Sequence, residues 1–483
     1  MLIPKNNANK MRTRILIKIA KSYLTSRFED ADRIPIELRP KDMQPSRCCI
    51  YKDRAVLKYR CMASLGHYPS SETDEIKTLK EYGQEALLRQ TLEPNRLDVI
   101  DIACSACIQS QYIVTNACRG CFAQPCRVNC PKEAITIKNG QAAIDYDKCI
   151  NCGKCLSVCP YHSIIRIPIP CEEACPVDAI KKDEFGKERI DTEKCISCGK
   201  CLASCPFGAI VERSQMIDVL KTIHDTDKKV VAMLAPAIMG QFACSINKLV
   251  SALKKAGFTD VIEVAVGADI TTKKEAEEFI EKTQSGEKLM TTSCCPAYIK
   301  AANVHIPEIV PFISHTKTPM YYTAELVKKD IPDAITVFVG PCLAKRNEAE
   351  KDPNVDYVLT FEEISAMLSA AHITIEDCED AEFSKLSHSQ GRQFAVSGGV
   401  AGAVASLIGD KADYKPEKIN GLTKENIRLL KKYATKGCDN NMLEVMSCEG
   451  GCVAGPGCIA MALKSAHAVG QYAKEGKDLS KKD

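Results

Sequence analysis

The sequence predicts a multidomain chain of mixed α+β and α/β class. It divides into an N-terminal accessory region of unreadable fold (residues 1–103), a compact cysteine-rich region (104–213) and a C-terminal α/β domain (230–483). Three observations carry this reading. Most of the 28 cysteines fall in closely spaced groups between residues 104 and 213. Beyond residue 230, apolar strand-like runs alternate with helical stretches, the pattern of a mainly parallel sheet. Between the two, Asp225-Thr226-Asp227-Lys228-Lys229 follows a helix-like stretch and reads as a domain boundary. A chain of 483 residues should hold two to four domains and a sizeable core. It needs no disulfide framework, so clustered cysteines favour metal in a reducing compartment. The net charge of +3 implies neither a nucleic-acid nor a membrane-surface partner. Arg12–Lys21 is basic and amphipathic, without the uncharged core of a signal peptide, and twin-arginine export is not signalled. No apolar run approaches the ~20 residues of a spanning helix. A cytoplasmic location is expected.

In residues 1–103 a basic helical start leads to the proline-punctuated Arg33–Pro40. A strand is expected at Ala55–Cys61 and a helix over Ser71–Leu92. Cys48, Cys49 and Cys61 read as buried or incidental thiols; the competing reading is a small accessory metal or redox site.

The next region carries Cys118-x2-Cys121-x4-Cys126-x3-Cys130-Pro131, Cys149-x2-Cys152-x2-Cys155-x3-Cys159-Pro160, Cys171-x3-Cys175-Pro176 and Cys195-x2-Cys198-x2-Cys201-x3-Cys205-Pro206. A tight loop wraps three corners of a cubane and the proline ends the loop. A zinc ribbon explains one CxxC pair, but not the repeated third and fourth cysteines. The pattern resembles bacterial two-cluster ferredoxins, in which the fourth cysteine reaches the other cluster. Ala134–Ile137 and Ala142–Asp145 fit strands of that fold, and the whole reads as two tandem two-cluster ferredoxin-like units. The cross-ligation implied by the resemblance puts Cys118, Cys121, Cys126 and Cys159 on one cluster. Cys149, Cys152, Cys155 and Cys130 take a second, and Cys195, Cys198, Cys201 and Cys175 a third. Cys171 and Cys205 remain where a fourth would sit. Either Cys104 and Cys107 complete it, or the site has decayed and these thiols are free.

In the C-terminal domain, strands are expected at Val230–Ala237, Asp260–Val266 and Ala334–Val339, with helices at Lys273–Thr283 and Ala301–Ile306. Ligands of such folds sit in loops beyond the strand ends, where Pro341-Cys342-Leu343-Ala344-Lys345 falls. Two further stretches stand out, Thr291-Thr292-Ser293-Cys294-Cys295-Pro296-Ala297-Tyr298 and Glu444–Cys452. Adjacent cysteines rarely serve one cluster, so one of Cys294 and Cys295 is a ligand and the other a free thiol. Cys448 and Cys452, four apart, would share a helix face. Cys295, Cys342, Cys448 and Cys452 together supply the four thiolates of a [4Fe–4S] cubane.

TSCCPAY, PCLAKRNE and EVMSCEGGCVAGPG resemble, in order, the three signature segments of the [FeFe]-hydrogenase catalytic domain, over roughly residues 230–465. The resemblance implies an H-cluster: a cubane on those four cysteines, joined through Cys452 to a two-iron subcluster with carbonyl, cyanide and dithiolate ligands. It implies that Lys345 donates a charge-assisted hydrogen bond to a cyanide and that Met446 packs on the two-iron part. Ala235, Pro236 and Gly399 would approach the cofactor. Ser397–Gly402 lacks any nucleotide-loop pattern, so close approach to the metal site or plain helix packing explains its glycines. Cys294 would be the proton donor, followed by Glu278, Ser314 and Glu275. The two glutamates share a helix face. Gly340, Ala237, Tyr298 and Met320 depart from the usual family residues, which alters groups that tune a metal site. Cys244, Cys378, Cys438 and Cys458 have no motif, and the tail after Lys474 is expected to be solvated and disordered.

The resemblance implies reversible proton reduction, 2H⁺ + 2e⁻ = H₂. Electrons would come from a soluble ferredoxin through three further [4Fe–4S] clusters, or four if the last site is complete, and maturation proteins would install the cofactor. A hydrogen or redox sensor and an iron–sulfur assembly scaffold without the two-iron site are the alternatives. A scaffold has no use for Cys294, Lys345 and the two glutamates.

Overall fold

A computed structural model describes residues 6–104, 107, 111–225 and 227–481; Thr226, inside the expected linker, lies outside them. The N-terminal region is helical. Its longer helices are Asn7–Ser26, capped by the Asn6 side chain, Ile50–Ser64, and Leu79–Leu88, opened by a capping box between Thr78 and Glu81. The run Ala55–Cys61, expected as a strand, lies within Ile50–Ser64. Ile50, Asp53, Val56, Leu57 and Cys61 are among its buried positions, and their three-to-four spacing is helical, not alternating. The helix expected from Ser71 starts only at the Thr78 cap and ends at Leu88.

The cysteine-rich region is built from short antiparallel pairs. β1 (Leu97–Val99), β2 (Gln111–Val114), β3 (Ile135–Lys138), β4 (Gln141–Ile144), β5 (Ile164–Ile167), β6 (Ile180–Lys182), β7 (Glu188–Ile190) and β8 (Ile210–Glu212) pair as β1–β8, β2–β5, β3–β4 and β6–β7. The two units are therefore nested, not laid end to end. The unit bounded by β2 and β5 is inserted into the unit closed by β1 and β8. The expected start at residue 104 misses β1, because a three-residue strand carries too little pattern to be seen.

β9 (Val230–Leu234), β10 (Asp260–Glu263), β12 (Ile335–Val339) and β13 (Tyr357–Leu359) form a wholly parallel sheet in the order β10-β9-β12-β13. β11 (Met290–Thr291), β15 (Met442–Met446) and β14 (Pro416–Asn420) form a second parallel sheet, β11-β15-β14. This is the α/β arrangement the sequence predicts. The strand expected to reach Val266 stops at Glu263, and the helix Ala265–Gln284 begins almost at once.

The helix that leads into the expected boundary is firmly packed. Met216, Ile217, Val219 and Leu220 are apolar and bury the helix Met216–Asp225 in one core with Ile15, Ile19, Val231 and Leu234. The tail after Lys474 is tied down rather than free: Ser389 donates its amide to the Lys477 carbonyl (2.8 Å) and Leu479 donates to Gln390 (2.9 Å). Among the described residues no helix is long and apolar enough to cross a membrane.

A buried charge network joins the three regions. The Arg346 guanidinium, with no exposed surface, donates to Glu212 (2.9 Å), to Glu363 (2.8 Å) and to the Arg213 carbonyl (2.6 Å). Arg12, from the first helix, pairs with Glu212 and with Glu362 (3.0 Å). Burial resists ionisation of Glu363, yet Arg346, Ser214 and Thr360 together hold its carboxyl below the usual range. Removing one partner of a buried pair strands the other. Arg346→Met should therefore lower stability by about 3–5 kcal/mol, read as a fall in the urea midpoint.

Candidate metal centre

The strand ends converge on one cavity of about 910 Å³, mouth included. β11 runs into Cys294 and Cys295, β12 into Pro341 and Cys342, and β15 into Met446, Cys448 and Cys452; all of these line it. β9 contributes Ala235, Pro236 and Ala237 from beyond its end. Cys448 and Cys452 do not share a helix face as expected. Gly450 and Gly451 both have φ of +94°, which breaks any helix there, and a turn carries both thiols to the cavity. Gly399 does not reach the cavity. Its bare Cα instead admits the Gln393 carbonyl, 1.9 Å from where a Cβ would stand, and neighbouring Phe394 is the residue that lines the wall.

The donor set fits an iron–sulfur cluster. Burial pushes the thiols of Cys342, Cys448 and Cys452 up, Cys342 to about 11, so the bare thiols hold protons that iron would displace. Each is raised further by the charge of its neighbours, which places them together. Among the described residues no three His, Cys, Asp or Glu side chains converge on a single ion; a cubane holds its four thiolates further apart than one ion would. The Ser447 hydroxyl lines the same cavity, buried and without a partner among the described residues. Lys345 also lines it and donates to Glu348 (2.7 Å). Burial works against the ammonium, and Glu348 outweighs it. Met446 and Met320 are cavity walls, whereas Tyr298 is buried in the adjoining core, its hydroxyl 2.7 Å from that of Thr291. Phe338, overlooked in the sequence, lines the cavity and fills the space over Gly340: its ring lies 2.4 Å from where a Cβ would be.

The carboxylates take the reverse of the expected order. Glu275 is the inner one, fully buried, accepting the Ser293 amide (3.4 Å), with its second oxygen unpartnered among the described residues. Burial raises it to about 8, helped by the charges of Glu278 and Glu444 and opposed by the Ser293 amide. Burial, then the Glu275 charge, pushes the Cys294 thiol well above its ordinary value. Glu278 is the outer one. It accepts from Ser314 (2.5 Å), Thr316 (3.0 Å) and the His315 amide (2.9 Å), and pairs with Lys282 (3.2 Å). Burial opposes its charge, but these donors hold it below the usual range. Helix Ala265–Gln284 explains the arrangement: positions 275, 278 and 282 step outward along one face. Lys282, four residues beyond Glu278, was legible by that spacing but overlooked.

The accessory cysteines lie in sets. Cys126 feels Cys159, Cys121 and Cys118. Cys130, Cys149, Cys152 and Cys155 line one small cavity. Cys201 feels Cys198, Cys195 and Cys175. The loops are built alike: Asn151, Gly153, Ser197 and Gly199 all have positive φ, and such alternation turns amides toward an anionic centre. Cys198 also lines the large cavity, and Gly199 lets this loop approach within 2.8 Å, from the site of a Cβ, of Pro456. Cys104, Cys107, Cys171 and Cys205 also neighbour one another.

Residues 228–456 match the family described as iron only hydrogenase large subunit, C-terminal domain. Residues 141–164 match a 4Fe-4S binding domain, and residues 165–216 match the LdpA Fe-S cluster-binding domain. Iron hydrogenase 1 of Clostridium pasteurianum is 28% identical over 387 residues, 67% of this chain and 66% of that protein. The periplasmic [Fe] hydrogenase large subunit of Nitratidesulfovibrio vulgaris is 28% identical over 51% of this chain and 72% of that one. A probable cytosolic Fe-S cluster assembly factor of Nematostella vectensis is 28% identical over 42% of this chain and 54% of that one. Residues 228–456 are thus a domain of the iron only hydrogenase large subunit family, and they follow segments that match Fe-S cluster-binding domains.

Proposed function

We propose that this chain interconverts protons and H₂, 2H⁺ + 2e⁻ = H₂, in a catalytic domain spanning residues 230–483. The observation that carries the reading is the convergence of Cys295, Cys342, Cys448 and Cys452 on a cavity that also receives the spare thiol of Cys294, with a carboxylate route leading outward. Those four cysteines would hold the cubane of an H-cluster, Cys452 shared with the two-iron part, and Lys345 and Met446 would contact that part. When bound, the two-iron subcluster supplies the site where protons and electrons combine. The chain's own work is to deliver protons singly. Cys294 holds the innermost proton, Glu275 receives it in a dry site, and Glu278, Ser314 and Lys282 pass it to solvent. The second reading, an assembly scaffold, is favoured by the similarity to cytosolic Fe-S cluster assembly factors, 26–30% identical over parts of this chain.

Electrons enter at the far unit. Between residues 111 and 167 seven basic residues (Arg119, Arg127, Lys132, Lys138, Lys148, Lys154, Arg166) face three acidic ones (Glu133, Asp145, Asp147). Phe122, Val128, Ile150 and Tyr161 are exposed around the cluster loops. This surface suits an acidic soluble ferredoxin, and Cys198 hands electrons to the catalytic cavity.

Infrared spectra of the anaerobically matured protein test the reading. Carbonyl and cyanide bands that shift under H₂ are expected; their absence with intact [4Fe–4S] absorption would leave the scaffold. Cys294→Ala should keep those bands and lower turnover ~10²–10⁴-fold. Glu275 supplies a pH test. Its carboxyl is held neutral up to about pH 8 in the folded chain, whereas an ordinary glutamate ionises near 4.5. The native state thus binds the extra proton between those values, and stability falls as pH rises through them. Glu275→Gln should raise the urea midpoint at pH 8.5 and leave it unchanged at pH 4. Finally, Lys132→Glu with Lys154→Glu should slow reduction by ferredoxin and blunt its salt dependence, leaving the rate with methyl viologen unchanged.

A further inference from the structure

We infer that Cys104, Cys107, Cys171 and Cys205 hold a fourth accessory [4Fe–4S] cluster, placed where the inserted unit joins its host. The local build of Cys205 matches that of cysteines already assigned to clusters. In each case a residue three places on has positive φ and the amide four places on donates to the sulfur. Cys130 has Glu133 (φ +49°) and the Ala134 amide (3.3 Å), and Cys175 has Asp178 (φ +51°) and the Ala179 amide (3.2 Å). Cys205 has Gly208 (φ +56°) and the Ala209 amide (3.4 Å). Cys104 Sγ likewise accepts the Glu188 amide (3.4 Å), while Lys187 fixes the Cys104 carbonyl (2.8 Å). Cys104, Cys171 and Cys205 are buried in one core, with Cys107 packed against it. A decayed site would have no reason to keep such donors on Cys104 and Cys205.

The topology gives the cluster a task. Cys104 follows β1 and Cys171 follows β5, so the two flank the points at which the inserted unit leaves and re-enters its host. The Cys195, Cys198, Cys201 and Cys175 set touches the catalytic cavity through Cys198. The fourth cluster bridges that set and the clusters of the inserted unit. It accepts one electron from them, passing from the 2+ to the 1+ state, and returns to 2+ by giving it to the Cys198 side. The ultimate donor is an acidic iron–sulfur carrier, and no bond or proton changes hands.

The site does not depend on hydrogen turnover, so its test needs no maturation. Full-length protein is reconstituted anaerobically with ferrous iron and sulfide, and both are counted per chain. Cys104→Ala with Cys171→Ala should lose four irons and four sulfides, whereas Cys61→Ala, which removes a buried thiol elsewhere, should lose none. Equal iron in the double variant and the parent would overturn the inference. Should the double variant lose all its clusters, Cys107→Ala decides: after mild oxidation a new [3Fe–4S] electron paramagnetic resonance signal is expected. Full iron without that signal would equally overturn the assignment.

Discussion

The architecture depends on one buried cation. Arg346 and Lys345 are neighbours on the short helix Ala344–Ala349, and their side chains go opposite ways. Lys345 lines the cavity; Arg346 enters a pocket of carboxylates from β8 and from the first turn of the helix Phe361–Ala370. Glu362 and Glu363 suit that turn because a helix N-terminus favours negative charge. Arg12 closes the network from the first helix. Four segments distant in sequence are fixed by charges that cannot separate without leaving an ion bare in the interior. The loop bearing Cys342 is held by the same anchor.

Around that anchor, the chemistry follows from parallel strands. β9, β11, β12 and β15 all end at the cavity, and the thiols and proline turns that line it follow those ends, with Lys345 on the short helix beyond β12. Part of this was legible, because the apolar run before PCLAK marks a strand followed by a ligand loop. The elements misread were those whose pattern is local and short. Ala55–Cys61 has β-like composition, but burial at Asp53, Leu57 and Cys61 makes it helical. Cys448 and Cys452 have helical spacing, but two glycines at positive φ make a turn. The order of Glu275 and Glu278 could not be read from spacing at all. A helix face places both carboxylates in one row, and only the tertiary packing around that helix decides which end is dry.

The cysteine loops show why spacing alone was so informative in the middle of the chain. A CxxCxxC segment can place three sulfurs around one cubane only if the intervening residues take left-handed backbone, and Asn151, Gly153, Ser197 and Gly199 do so. Proline after the fourth cysteine then starts a turn whose amide returns to the sulfur. Sequence spacing, backbone handedness and hydrogen bonding to sulfur are three expressions of one geometric demand. Nesting escaped notice because it resides in β1–β8 and β2–β5, pairs of three and four residues with few side chains in common.

That nesting has an evolutionary and practical corollary. In the β2–β5 ladder Gln111 stands opposite Ile167, so the inserted unit leaves its host and returns to it at adjacent points. A segment whose two ends meet can be removed, lengthened or exchanged while the surrounding core stays closed. Residues 111–167 are thus a plug-in cartridge: under the proposed function, a different electron carrier would be accommodated by replacing them, with the host unit and the parallel sheets left in place.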